Sequence, residues 1–397
     1  MDLLLRNLTL VDGRGGDPVA DAAIAIAGGR IVHAGRASDG PRGAAEVIDA
    51  GGHVAVPGLI NAHVHLALDE SDLRVPRLYM RDGEQLGILQ AASRAHRALV
   101  NGVTTLRDCN APGKGLLALR QAFGERLLPG PRLVCCGCAI CATGGHMHAI
   151  SIQADTPEEV AAGVQSQVEA GADFIKLVAD GTSTAGPGGA QLPGLSVAAL
   201  KAGVDAAHAS GRRASAHAVS REGVRASLAA GADCIEHGYD LPEDLIAAMR
   251  AQGARLVPTL SVHGAIVRHG PARGWPADRV KRSEEMLATA LSSVGRAAKA
   301  GIPVACGSDA GSPFNAAWEL VPELSLLCEA GLTPAGALAC ATVRAAEALA
   351  LDQDIGTLEA GKCADVVLVE GDPLRDIGAL GRVRMVIRGG EVVRRPS

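Results

Sequence analysis

Five times in this chain an Ala-rich helical pattern stops on a glycine and an apolar run begins directly after it. The joints are Asn101-Gly102-Val103, Ala170-Gly171-Ala172-Asp173, Ala230-Gly231-Ala232-Asp233, Gln252-Gly253-Ala254 and Ala300-Gly301-Ile302. A glycine there supplies the left-handed residue on which a helix commonly ends. Apolar strands are expected near 54–66, 103–109, 132–140, 174–179, 214–219, 234–237, 256–260 and 304–309. Amphipathic helices such as 86–100, 157–170, 197–210 and 221–230 separate them. This alternation predicts an α/β fold, a (β/α)8 TIM barrel over residues 57–356. An open doubly wound sheet is the alternative, but no Gly-x-Gly-x-x-Gly turn follows a strand to support it.

The two ends read differently. Short alternating strands with Gly-rich turns occupy residues 3–11, 22–27, 30–34 and 46–49, and the texture returns at 365–369, 383–388 and 391–393. A small β-sandwich domain built from both termini, residues 1–56 and 357–397, is therefore expected.

Composition removes several function classes. The net charge of −5 over 397 residues gives no electrostatic case for nucleic acid or an anionic membrane. No apolar run approaches the roughly 18 residues of a membrane span, and the N-terminus lacks the pattern of a signal peptide. A cytoplasmic protein acting on a small-molecule substrate is expected, with a homo-oligomer as its assembly. Ten cysteines in such a chain are expected as thiols. The run Cys135-Cys136-Gly137-Cys138-Ala139-Ile140-Cys141 could hold a soft metal. Alternation on a strand sends Cys135 and Cys136 to opposite faces, which favours buried thiols used as small apolar residues. With two Trp, two Tyr and three Phe, a pocket gripping an aromatic ring has few residues to use, chiefly Tyr79, Tyr239, Phe314 and Trp318.

Polar residues recur where the expected strands end. His63 and His65 close the first, and positions i and i+2 of a strand share a face. Lys176 sits inside the apolar run Ile175-Lys176-Leu177-Val178. His217 and His237 fall near the ends of the fifth and sixth strands, and Asp309 ends the eighth. Singly, each histidine reads as a satisfied core or rim residue and the aspartate as a helix cap. Lys176 is different, because a lysine is rarely buried without a partner. In a barrel these strand ends form the catalytic face.

This ordered set resembles the binuclear pattern of the amidohydrolase superfamily, metal-dependent hydrolases built on a (β/α)8 barrel. The phrase Val56-Pro57-Gly58-Leu59-Ile60-Asn61-Ala62-His63 and the split β domain extend the resemblance over nearly the whole chain. It implies that Lys176 carries carbon dioxide as a carbamate bridging two divalent metals. His63, His65 and Asp309 would hold one metal, and His217 and His237 the other. Such ligands suit zinc first. A hydroxide bridging the metals would attack the substrate, with Asp309 as general base and then acid.

The segment Ala142-Thr143-Gly144-Gly145-His146 is similar to one in prolidase-like members that cleave Xaa-Pro dipeptides and N-acyl amino acids. By that match His146 would stabilise charge on the substrate carbonyl. His148 carries no such match and reads as structural. Tyr239, next to His237, would donate to the carbonyl or pack on the substrate. Phe314 and Asn315 would belong to a loop over the site. Arg77, Arg81, Arg107 and Arg268 are candidates for a substrate carboxylate, and the sequence does not choose among them. His263 and His269 are expected as idle loop residues that could reach the mouth. A carbamate, urea or ester hydrolase uses the same steps and stays open as an alternative. A deaminase is less favoured, since those relatives place a Glu three residues after the fifth-strand His, where this chain has Ser220.

Overall fold

The computed structural model describes residues 1–68, 83–181 and 191–395. Arg77, Tyr79 and Arg81 lie outside the described residues. Five strands open the chain: β1 (Leu3–Leu10), β2 (Val19–Ala27), β3 (Arg30–Arg36), β4 (Glu46–Asp49) and β5 (Val54–Pro57). Nine follow in alternation with helices: β6 (Leu59–Val64), β7 (Val103–Asp108), β8 (Arg132–Cys135), β9 (Ile140–Cys141), β10 (Ile152–Gln153), β11 (Ile175–Val178), β12 (Ala214–Ala218), β13 (Cys234–His237) and β14 (Arg255–Val257). Three close it: β15 (Val366–Val369), β16 (Val383–Arg388) and β17 (Glu391–Arg394).

The two ends of the chain share one sheet, in the order β17-β16-β15-β5-β1-β2-β3 with β4 beside β1. Its apolar residues alternate as a strand requires. Leu3, Leu5, Ile24, Ile26, Val366, Leu368 and Ile387 bury one side together. Leu4, Ala23 and Ala25 cluster apart from them. β5 pairs antiparallel with β15, with Val366 opposite Pro57, so the last N-terminal strand is clamped by a C-terminal one.

The central strands are parallel, making a mixed α/β fold. β6, β7 and β8 form one sheet, and β10-β9-β11-β12-β13-β14 another. Backbone bonds link them beyond these sheets: Asp173 N donates to Cys135 O at 2.8 Å, Ala305 N to Leu256 O at 2.9 Å, and Ala62 N to Cys306 O at 2.8 Å. The helices start and stop as their sequences dictate. Thr156 and Glu159 form a capping box with Pro157 in the first turn, and Gly171 ends that helix in the left-handed region. The five joint glycines, Gly102, Gly171, Gly231, Gly253 and Gly301, all have positive φ. No helix among the described residues is long and apolar enough to cross a membrane.

Four expected elements differ, each for a local reason. The run 54–66 divides at Gly58, so β5 serves the terminal sheet and β6 the central one. A Cβ at Gly58 would stand 2.1 Å from Thr104 Oγ1. The run 132–140 breaks at Gly137, whose φ is 69°. The cysteines there do not alternate along one strand: Cys135 Sγ turns to Leu116 O, Cys136 Sγ to Gly137 O and Cys138 Sγ to Ala111 O. β14 ends at Val257 because Thr259 takes φ of 50°. The segment 304–309 makes isolated bridges at its edges, Leu256 to Val304 and Val64 to Ala310, in place of a regular strand. Gly307 lets it approach, since a Cβ there would lie 2.4 Å from Val257 Cγ1 and 2.8 Å from His63 Cβ.

Candidate metal centre

Register puts most of the polar set on one face. Lys176 lies opposite Ser215, and Val178 opposite His217. His217 lies opposite Glu236. Residues level across a sheet share a face, so Lys176, Ser215, His217 and Glu236 point the same way. Strict alternation would turn His237 outward. Its φ of 74° breaks the alternation, and the ring swings back so that its Nε2 lies 2.8 Å from His217 Nδ1. A left-handed conformation in a residue with a bulky side chain is a strained one, and such strain collects at functional sites. Asp309 (φ 55°) and Thr259 (φ 50°) share it.

The expected ligands converge. His63, His65 and Asp309 bring donor atoms within 4.8 Å of one another. Asp309 Oδ1 stands 3.1 Å from His65 Nε2 and 3.5 Å from His63 Nε2. The ring of His63 lies 5.2 Å from that of His237, which lies 4.3 Å from that of His217. Lys176 is 4% exposed, and its Nζ has no hydrogen-bond partner among the described residues. The Nε2 of His217 is likewise buried without a partner.

Electrostatics follow from this crowding. Burial and the charge of Lys176 pull His63 down to about 4, so its imidazole is neutral near pH 7. Burial also lowers His217 and His237 well below the usual histidine range. Burial alone would raise Asp309, but His63, His65 and His237 hold its carboxyl well below the ordinary carboxylate range. His65 differs: burial would lower it, but its hydrogen bond to Asp309 and that carboxylate's charge raise it. Neutral imidazoles at His63, His217 and His237, a His65 that gives up its proton on coordination, an ionised carboxylate and a partnerless buried amine make a donor set that divalent cations satisfy. A buried unpaired ammonium is costly by itself, whereas a carbamate on that nitrogen would give two cations an anionic bridge. The residues fit the group.

The other expected residues divide. The ring of His146 stacks on His217 at 4.4 Å, and burial pulls it down to about 4. Its loop is pinned, since Thr143 N and Oγ1 both donate to Asp155. Tyr239 is buried, with its hydroxyl 3.1 Å from Thr259 Oγ1 and 3.5 Å from His237 Nδ1. His263 packs edge-on against Tyr239 at 4.9 Å, while His269 is exposed and meets Phe314 at 6.2 Å. His148 turns back to Gly145 O at 3.0 Å. Asn315 is buried and ties Ser308 O at 2.6 Å. Trp318 is covered by Arg97, 3.2 Å above its ring. Arg107 is buried against Glu236 and Ala62 O, which removes it as a free cation for a substrate carboxylate. Arg268 is exposed on a helix. Ser220 caps the helix after β12 and bonds Asp180.

Sequence reasoning missed the support beneath the expected ligands. Glu236 is fully buried and takes His63 Nδ1 at 2.6 Å. Thr259 takes His237 Nδ1 at 2.7 Å. Asn61 Nδ2 donates to Ser308 Oγ at 2.7 Å, and Ser308 N donates back to Asn61 Oδ1 at 3.0 Å. The signal for Glu236 was present: a glutamate beside His237 in an apolar run needs a buried partner.

Residues 54–393 match the amidohydrolase family. An uncharacterized protein of Mycobacterium tuberculosis is 29% identical over 356 residues, covering 90% of this chain and 89% of that protein. The crystal structure of a prolidase complexed with N-methylphosphonate-L-proline superposes with a TM-score of 0.89 at 28% identity, covering 99% of each chain. That of a Xaa-Pro dipeptidase with methionine bound in its active site gives 0.87 at 26% identity, covering 98% of this chain and 99% of the other. The chain belongs to the amidohydrolase family and is an amide-bond hydrolase with prolidase-like structural relatives.

Proposed function

We propose that the chain is a binuclear-metal hydrolase that cleaves the C–N bond of a small substrate, an Xaa-Pro dipeptide or an N-acyl amino acid. The observation that carries the reading is the partnerless, buried Nζ of Lys176, whose charge acts on His63, His217 and His237. On this reading the parallel strands close into a (β/α)8 barrel over residues 57–356, beside a terminal domain of residues 1–56 and 357–397. The prolidase and Xaa-Pro dipeptidase neighbours support the substrate class.

His63, His65 and Asp309 would hold one divalent ion and His217 and His237 the other, with carboxylated Lys176 between them. Zinc is the expected metal. Such a pair, when bound, supplies Lewis-acid polarisation of a carbonyl and an acidic water. The chain's own residues do the rest. Asp309, ionised and aimed into the cluster, takes the proton of the attacking water and returns it to the departing nitrogen. His146, neutral and stacked on His217, donates to the substrate oxygen as charge develops there. Tyr239 and Thr259 hold the far nitrogen of His237, which keeps its Nε2 facing the cluster.

The test is a panel of Xaa-Pro dipeptides, N-acyl amino acids, carbamates, ureas and esters offered to zinc-loaded protein. Release of free proline or a free amino acid supports the reading. Turnover confined to carbamates, ureas or esters replaces its substrate class.

A further inference from the structure

Beneath the ligands lies a buried ionic clasp that touches four strands. Glu236 of β13 is 0% exposed and Arg107 of β7 is 3% exposed. Glu236 Oε1 accepts from Arg107 Nη2 at 2.5 Å and from the hydroxyl of Ser215 on β12. Arg107 Nε donates to Ala62 O on β6, the residue before His63. Glu236 Oε2 faces His63 Nδ1 at 2.6 Å.

We propose that Glu236, anchored by Arg107 and Ser215, is a positioning residue that fixes His63 in the Nδ1–H tautomer and so presents Nε2 to Asp309 and a metal.

A guanidinium can only donate, and an ionised carboxylate can only accept. Arg107 and Ser215 both donate to Oε1, and the adjacent guanidinium charge favours the ionised carboxylate, so Oε2 only accepts and His63 must supply the proton at Nδ1. Its Nε2 is then left with the lone pair, 3.5 Å from Asp309 Oδ1. A carboxylate on the far nitrogen also makes the imidazole a stronger ligand. The pair Arg107–Glu236 carries no net charge, so the clasp orients His63 without adding an unbalanced charge beneath the cluster. The metal-ligand role of Nε2 rests on the proposed function; the tautomer itself does not.

The isosteric change Glu236→Gln separates orientation from packing. Its carbonyl oxygen must face Arg107 and Ser215, since an amide nitrogen there would meet two donors. Its NH2 then faces His63 and forces Nδ1 to accept, which moves the ring proton to Nε2. Ser215→Ala removes a donor from the other oxygen and leaves the tautomer as it is.

The experiment is two-bond 1H–15N correlation of 15N-histidine-labelled, chelator-treated full-length protein near pH 7, with His63 assigned by His63→Gln. A zinc titration against a competing chelator accompanies it. Wild type and Ser215→Ala are expected as Nδ1–H. Glu236→Gln is expected as Nε2–H, with zinc affinity lowered about 10–100-fold. An Nε2–H tautomer in the wild type overturns the proposal even if the variant fails to fold. An unchanged tautomer in folded Glu236→Gln overturns it as well. Wild type that binds no zinc contradicts the metal reading alone, and the tautomer result still decides the role of Glu236.

Discussion

His237 Nε2 and His217 Nδ1 face each other across 2.8 Å at the ends of adjacent strands. Two imidazoles meet in this way only if one donates a proton to the other or both turn lone pairs to a cation. His237 Nδ1 is occupied by Thr259, and the far nitrogen of His217 has no partner among the described residues. On the proposed reading the pair are ligands of one site, which metal-free protein can satisfy only partly.

Removing the metal should therefore cost both activity and stability. Dialysis against a chelator is expected to abolish turnover, and zinc should restore it. An ion at 100 times its dissociation constant adds about 2.7 kcal/mol to stability. Thermal unfolding of the stripped and reloaded protein checks this, and a melting temperature unmoved by zinc would count against a structural contribution from the metal.

His146→Ala should lower kcat by about 100-fold with metal content intact, because its ring stacks on His217 without holding an atom of the ligand set. Steady-state rates with elemental analysis test it. An unchanged kcat makes His146 a bystander.

Arg107→Met leaves Glu236 buried without its cation. Breaking such a pair from one side is expected to cost about 3–5 kcal/mol. The double variant Arg107→Met with Glu236→Gln should recover part of that loss, since no buried charge is stranded. Urea unfolding of the three proteins measures both effects.

Glu323, which is not itself among the expected ligands, gives a pH-dependent prediction. It is 0% exposed and accepts from Leu260 N, Ser261 N and Ser261 Oγ at the start of the helix Ser261–His269. Burial pushes its carboxyl up to about 7 from 4.5. The folded state thus binds this proton more tightly than the unfolded chain. The stability it contributes is full below pH 4.5 and lost as pH rises through 7. Glu323→Gln lacks that loss. The melting temperature of the variant minus that of wild type should rise between pH 5 and pH 8, and a flat difference would contradict the assignment.

Much of this was legible because it rests on patterns that tertiary context rarely overrides. The joint glycines marked helix ends, and Lys176 in an apolar run demanded an explanation. What was hidden depended on single backbone angles. Alternation allows only one of Glu236 and His237 to face inward, and the positive φ of His237 turns both there. Thr259 ended β14 early and became the partner of His237 by the same kind of departure. Arg107 read as a candidate substrate cation because nothing in the sequence reveals that Glu236 lies within 2.5 Å of it.

The central claim is that Lys176 joins two metal ions. Elemental analysis of wild type and Lys176→Ala, each loaded with zinc in bicarbonate buffer and stripped of loosely held ions, tests it most directly. The account predicts two ions per chain in the wild type and fewer than two in the variant. A Lys176→Ala protein that keeps two tightly held ions would contradict it.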